Sequence, residues 1–173
     1  MDTKKLFVAT MILSAAAAAG IFSLYGITRQ SVLFSVAAAV LIAIALEDAL
    51  TKEIHDVFLI LLFVIGAVLP AENTDALARH IAGMISVSVP LACVSCISKR
   101  ILGTESIGAG DIILCGGAGL ILGSAKVLIA GAAAFIAAGI YAAAILILGR
   151  AKKDDTFALG PFLCVAFIVE LLF

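Results

Sequence analysis

Residues 107–123 read IGAGDIILCGGAGLILG, in which Asp111 is the single charged residue. The other residues of this stretch are apolar or glycine. A helix that crosses a membrane needs about 20 apolar residues, so Ile107–Leu122 predicts a short membrane segment. Such a segment tilts little in a thinned region of the bilayer, or it continues into amphipathic turns beyond it. An acidic residue at the start of this segment raises the expectation of a functional site.

Six further apolar segments accompany this one. The seven predicted segments are Leu6–Ile27, Ser31–Leu46, Val57–Leu69, Leu77–Ile97, Ile107–Leu122, Ala125–Leu148 and Phe157–Phe173. The chain of 173 residues is 64% hydrophobic and 13% charged, whereas a soluble domain is about half apolar and about a quarter charged. We therefore predict an all-α fold, a polytopic transmembrane bundle of about seven helices, six being possible, that forms one domain over residues 1–173 in the lipid bilayer. No basic tract is present in the sequence, so a nucleic-acid partner is not expected.

The positive charges of the short loops predict the orientation of the chain. With the N-terminus inside, eight Lys and Arg residues lie on the inner side and three on the outer side. The inner residues are Lys4, Lys5, Lys52, Lys99, Arg100, Arg150, Lys152 and Lys153, and the outer ones are Arg29, Arg79 and Lys126. This bias predicts a cytoplasmic N-terminus, with inner loops at Glu47–Asp56, Ser98–Ser106 and Gly149–Thr156.

Asp111 and Asp48 both lie at inner ends of predicted helices. Asp111 follows Gly108-Ala109-Gly110, where glycine allows close backbone approach and the helix dipole favours a carboxylate. Capping of the helix by Asp111 is an equal alternative. Asp48 ends a mainly apolar run, where the dipole disfavours a carboxylate, so a functional role competes with that of a solvated interfacial acid.

Two acidic residues on one membrane face suggest a common chemistry. Carboxylates brought close together share one proton, because both cannot ionise cheaply at short range. The ionised group can activate water as a base, and the protonated group can donate a hydrogen bond to a peptide carbonyl. This is the chemistry of an aspartyl peptidase, and it requires no metal and no cofactor.

Three stretches of the sequence carry a family resemblance. They are Asp48-Ala49-Leu50-Thr51-Lys52-Glu53-Ile54-His55-Asp56, Gly108-Ala109-Gly110-Asp111-Ile112-Ile113-Leu114 and Phe157-Ala158-Leu159-Gly160-Pro161-Phe162-Leu163. In order and spacing they resemble motifs of the type IV prepilin peptidases and archaeal preflagellin peptidases, membrane aspartyl proteases with a G-x-G-D motif. His55 and Asp56 stand where proline and asparagine are usual, and Ile113 stands where lysine is common. These departures leave the subfamily and the substrate preference open.

The resemblance implies a role for particular residues. Asp48 and Asp111 would be the catalytic residues, with Gly108, Gly110, Gly160 and Pro161 supporting them through the backbone. The substrates would be prepilin-like or preflagellin-like precursors, cut between a short basic leader and an apolar helix at the cytoplasmic boundary of the cell membrane. An acidic inner surface would attract the leader, and its candidate residues are Glu47, Glu53, Asp56 and Glu105. We expect the short, peptidase-only type, without the cytoplasmic region found in members that also N-methylate the product.

Other functions are compatible with the same residues. A small proton- or cation-coupled transporter would also use membrane acids, although such groups usually lie near the middle of the membrane. A non-catalytic membrane subunit of a pilus or secretion system, and a protease of the presenilin type, are further alternatives. Cys93 and Cys96 form a C-x-x-C pair inside an apolar segment, where cysteine usually behaves as a small hydrophobic residue rather than a redox or zinc ligand. The sequence does not predict an oligomeric state.

Overall fold

A computed structural model describes residues 3–70, 74–103, 107–149 and 158–173. Within these ranges the chain forms seven α-helices and no β-strand. The helices are α1 (Thr3–Tyr25), α2 (Arg29–Thr51), α3 (Asp56–Val68), α4 (Thr74–Leu102), α5 (Ala109–Leu122), α6 (Ser124–Ile147) and α7 (Gly160–Leu172). Each helix matches one predicted segment, so the prediction of an all-α bundle is confirmed.

Helix length divides the bundle into two groups. Four helices, α1, α2, α4 and α6, are long and apolar enough to cross a membrane. The other three, α3, α5 and α7, have 13 or 14 residues and are therefore about 20 Å long. Bulky apolar side chains such as Phe7, Ile136 and Ile140 are between 64% and 67% exposed, which suits a surface in contact with lipid. The chain is a multi-pass membrane protein.

The packing centres on the short helix α5. It contacts α3, α4, α6 and α7, and all of its residues from Leu114 to Ile121 are buried. On the other side of the bundle, α7 packs against α1, α2 and α6. The antiparallel chain therefore brings the last turns of α2, α4 and α6 and the first turns of α3, α5 and α7 to one end of the bundle. We call this end, which carries Asp48 and Asp111, the acid-pair end and the opposite one the far end.

Glycine residues on α5 allow this helix to approach α3 and α4 closely. A Cβ atom added to Gly119 would lie 2.5 Å from the carbonyl oxygen of Gly83. A Cβ atom on Gly116 would lie 3.2 Å from the hydroxyl of Ser88, and one on Gly117 would lie 3.2 Å from Leu62. Small residues at such contacts are the usual way in which membrane helices reach close packing.

Two helices are longer than predicted at the acid-pair end. The sequence interpretation placed Glu47–Asp56 in a loop, and this was wrong for its first five residues, because α2 continues through Thr51. The helix ends at Lys52, which adopts the left-handed conformation with φ 57° and donates its backbone N–H to the carbonyl of Asp48. Similarly, α4 continues to Leu102. The candidate Glu105 and the predicted start of the last segment at Phe157 lie outside the described residues.

Gly119→Ala should destabilise the bundle. The added methyl group meets a backbone carbonyl on α4, which cannot move aside as a flexible side chain would, and overpacking of this kind costs about 1–3 kcal/mol. Gly131→Ala is the matched control, because nothing lies within 4 Å of a Cβ atom at Gly131 on α6. Thermal unfolding of both variants in detergent should show a lower midpoint for Gly119→Ala alone. Equal midpoints would contradict this packing.

Candidate active site

Asp48 is a buried acid that packs against the backbone of another helix. It lies one turn before the end of α2, and the residue is only 5% exposed. The backbone N–H of Gly160, the first residue of α7, is directed at its carboxyl group. A Cβ atom on Gly160 would lie 2.5 Å from Oδ2 of Asp48 and 3.0 Å from its Cγ. The position of Gly160 therefore has to be glycine for Asp48 to remain where it is.

Asp111 lies in the first turn of α5 and is half-buried. Gly108, the N-cap residue that precedes this helix, takes part in no side-chain cap hydrogen bond, so the alternative of Asp111 as a helix cap gains no support. The charge of Asp48 acts on the carboxyl group of Asp111. Gly110, which directly precedes Asp111, packs against Ile54 just after the end of α2. The structure thus brings the two predicted carboxyl groups together, and we call Asp48 and Asp111 the acid pair.

One oxygen of the acid pair lacks a partner. Oδ2 of Asp48 is buried and has no hydrogen-bond partner among the residues that the structure describes. A buried carboxylate oxygen left unsatisfied is costly, and each such atom calls for an explanation. A proton shared within the acid pair, or a donor that arrives with water or a ligand, would satisfy this atom.

The remaining motif residues shape the backbone around the acid pair. A Cβ atom on Gly110 would lie 3.5 Å from Ile54, so this glycine allows the loop after α2 to pack on the start of α5. Pro161 is the second residue of α7, a position where the missing N–H of proline costs no helical hydrogen bond. These two residues and Gly160 place the first turns of α5 and α7 beside the last turn of α2.

Glu47 faces away from the acid pair toward a separate cavity. Its Oε1 lies 2.8 Å from Nδ1 of His55, whereas Oε2 is buried with no hydrogen-bond partner in the described part of the chain. Glu47 lines a cavity of about 280 Å³ between α1, α2 and α3, together with apolar residues that include Phe7, Leu46 and Phe58. We call this cavity the Glu47 pocket.

The other predicted leader-binding residues are placed differently. Glu53 and Asp56 are exposed, and neither lines the Glu47 pocket. Thr51 accepts a hydrogen bond from the backbone N–H of Glu53 and donates its hydroxyl to the carbonyl of Glu47. This arrangement fixes the turn that follows α2, so the acidic side chains of the turn point to solvent while Glu47 points inward.

Two cysteines beside the acid pair were missed by the sequence interpretation. Cys115 and Cys164 are fully buried, and Cys164 interacts electrostatically with both acids and with Cys115. The cysteines that the sequence singled out, Cys93 and Cys96, are exposed on α4. A usable signal was present, because Cys115 follows Asp111 by four residues and so lies one turn along the same face of its helix.

Comparison with known proteins identifies a family. The model of the type IV leader peptidase family matches residues 35–143, which is more than half of the chain and contains both members of the acid pair. No match was found among curated proteins or among solved structures.

Proposed function

The chain belongs to the type IV leader peptidase family, and on this premise we propose that it is a membrane aspartyl endopeptidase with the acid pair as its catalytic residues. Its substrates would be prepilin-like or preflagellin-like precursors, from which it removes a short basic leader at the cytoplasmic face of the cell membrane. The observation that carries the proposal is the convergence of Asp48 and Asp111, on α2 and α5, at one end of the bundle.

The proposed reaction uses one proton shared within the acid pair. The ionised carboxylate accepts a proton from water, and the water oxygen attacks the carbonyl carbon of the scissile peptide. The protonated carboxyl group donates a hydrogen bond and then its proton to the carbonyl oxygen. The tetrahedral intermediate then collapses and the C–N bond breaks as the leaving amine takes a proton from one carboxyl group. A hydroxyl group of the intermediate returns its proton to the other carboxylate, which restores the singly protonated acid pair. Atoms and charges balance without a metal or a cofactor.

Transport of protons or cations is less well supported. Transporters usually place their ionisable groups near the middle of the membrane, between broken helices. The acid pair instead lies where α2 ends and α5 begins, at one end of the bundle. A binding site for a peptide bond at the membrane boundary fits this position better than a carrier site does.

Asp48→Asn and Asp111→Asn should each abolish leader removal. Each change deletes a group that must carry or accept a proton, and losses of at least a hundredfold are expected from the usual contribution of acid–base catalysis. The measurement is cleavage of a prepilin-like precursor by the protein in proteoliposomes, followed by the shift in precursor size. Asp75→Asn, a change at the far end of the bundle, is the matched control and should leave the rate within about twofold.

Retention of near wild-type cleavage by either acid-pair variant would refute the catalytic assignment. Absence of cleavage by the wild-type protein, combined with ion flux that depends on Asp48 and Asp111, would favour the transporter instead. Both results come from the same proteoliposomes, so the two functions are compared under identical conditions.

Gly160→Ala should reduce cleavage of a prepilin-like precursor. The new methyl group would overlap with the Asp48 carboxyl group and push it away from Asp111. Since displacement of a catalytic group by about 1 Å can cost about a hundredfold in rate, kcat should fall by one to two orders of magnitude. Gly139→Ala is the control, because nothing lies within 4 Å of a Cβ atom at Gly139. Unchanged kcat in Gly160→Ala would show that the contact with Asp48 is not needed for catalysis.

A further inference from the structure

A polar pocket lies at the far end of the bundle, away from the acid pair. It has a volume of about 370 Å³, and its lining comes from the first turns of α2, the two residues after α3 and the N-terminal part of α4. The polar residues that line it are Arg29, Gln30, Arg79 and His80. We call this cavity the arginine pocket.

The arginine pocket gathers positive charge on the side of the membrane that carries little of it. The sequence-based topology puts three Lys or Arg residues on the far side, and two of them, Arg29 and Arg79, line this pocket. The third, Lys126, donates a hydrogen bond from Nζ to the carbonyl oxygen of Glu170 at 3.1 Å. Because membrane proteins keep most of their loop cations on the opposite side, the convergence of two arginines here suggests a binding role.

The length of α2 puts the arginine pocket at the level of the lipid headgroups. The helix has 23 residues and is about 35 Å long, slightly more than the hydrocarbon core of a bilayer, which is about 30 Å thick. Arg29 is its first residue, so this side chain lies at the edge of the core. Phe34 and Leu69 give the same pocket an apolar part. A ligand with a charged head and an apolar body matches both parts of the lining.

The two arginines are held in different ways. Nη2 of Arg29 donates a hydrogen bond to the carbonyl oxygen of Val68, the last residue of α3, at 3.0 Å. This contact orients the guanidinium group and satisfies a carbonyl at the end of a helix. Arg79 is exposed, and no carboxylate in the described ranges forms a salt bridge with it. The charge of Arg79 is therefore available to an anion from outside the chain.

His80 adds a third nitrogen-bearing side chain to the lining. Its Nδ1 lies 2.8 Å from the carbonyl oxygen of Leu120, and since a carbonyl can only accept, Nδ1 carries the proton. This hydrogen bond fixes the imidazole ring at the pocket. Asp75, in the first turn of α4, does not line the pocket. The lining therefore contains two guanidinium groups and an imidazole, with no carboxylate from the described residues among them.

We propose that the arginine pocket binds the phosphate group of a membrane lipid. A phosphate accepts two parallel N–H groups from a guanidinium, which is the geometry that arginine provides best. Basic pockets between membrane helices bind phosphate-bearing headgroups in this way. The acyl chains would lie along the apolar part of the lining and continue into the bilayer. This site is at the opposite end of the bundle from the acid pair and goes beyond the proposed function.

The ligand chemistry is tested on the full chain in detergent with three probes. They are dioleoylphosphatidylglycerol, dioleoylglycerol, which lacks the phosphate, and inorganic phosphate. The midpoint of thermal unfolding is measured against probe concentration, and native mass spectrometry counts the lipid molecules that stay bound. Phosphatidylglycerol should raise the midpoint and remain bound as one molecule per protein. Dioleoylglycerol and inorganic phosphate at the same concentrations should do neither.

The position of the site is tested with Arg79→Gln, compared with Arg100→Gln, an exposed arginine at the other end of α4. Arg79→Gln should raise the half-saturating concentration of phosphatidylglycerol about tenfold, because charge-assisted hydrogen bonds to the phosphate are lost. Arg100→Gln should behave as wild type. Arg79→Lys keeps the charge without the paired N–H groups, so its value should fall between those of Arg79→Gln and the wild type. Without lipid, all four proteins should unfold at similar temperatures.

Three outcomes would overturn the inference. Equal half-saturating concentrations for Arg79→Gln and Arg100→Gln would show that the lipid binds elsewhere. Stabilisation by dioleoylglycerol as large as that by phosphatidylglycerol would remove the role of the phosphate. Stabilisation by inorganic phosphate that depends on Arg79 would support the phosphate site and overturn the lipid as its source. Cleavage of a precursor enters none of these measurements, so this inference and the proposed function fail or stand separately.

Discussion

The contact between the Asp48 carboxyl group and the backbone of Gly160 is the constraint on which the acid-pair end depends. A carboxyl group that is 5% exposed at a membrane boundary is expensive to keep there. It is tolerable because the first turn of α7 presents a backbone N–H to it and because glycine leaves room for it. α7 must therefore begin at the level of Asp48 in the bundle, and its 13 residues extend from the acid pair toward the far end.

The short helices place the positive ends of two helix dipoles at the acid pair. Asp111 lies in the first turn of α5, and Asp48 lies against the first turn of α7. Because the free N–H groups of a helix N-terminus favour negative charge, these two ends offset part of the cost of holding one ionised carboxylate in an apolar setting. The buried thiols of Cys115 and Cys164 complete the surroundings without adding a charged partner.

Continuous apolar runs in the sequence were enough to predict the helices, but not which helices pack against one another. All seven segments were located because each is a continuous apolar run, and the two acids were found because charge is rare within such runs. Asp48 and Gly160 are in contact although they lie far apart in the chain. Because the seven helices are similarly apolar, their sequences do not indicate which helices pack against each other. For the same reason the sequence did not predict that Cys115 and Cys164 lie near the acid pair, since their apolar sequence neighbours resemble those of Cys93 and Cys96.

The incorrect prediction of where α2 ends explains how Glu47 and Asp48 come to lie in different surroundings. Ending the helix at Leu46 would place Glu47 and Asp48 together in a flexible inner loop, as two equivalent acids facing the cytoplasm. Because the helix continues to Thr51 and stops at Lys52, its geometry turns the two side chains to different sides. Asp48 meets α7, and Glu47 enters a cavity bounded by α1 and α3. One extra turn of helix thus gives the neighbouring carboxyl groups of Glu47 and Asp48 separate environments, one beside His55 and the cavity between α1, α2 and α3, the other against the first turn of α7.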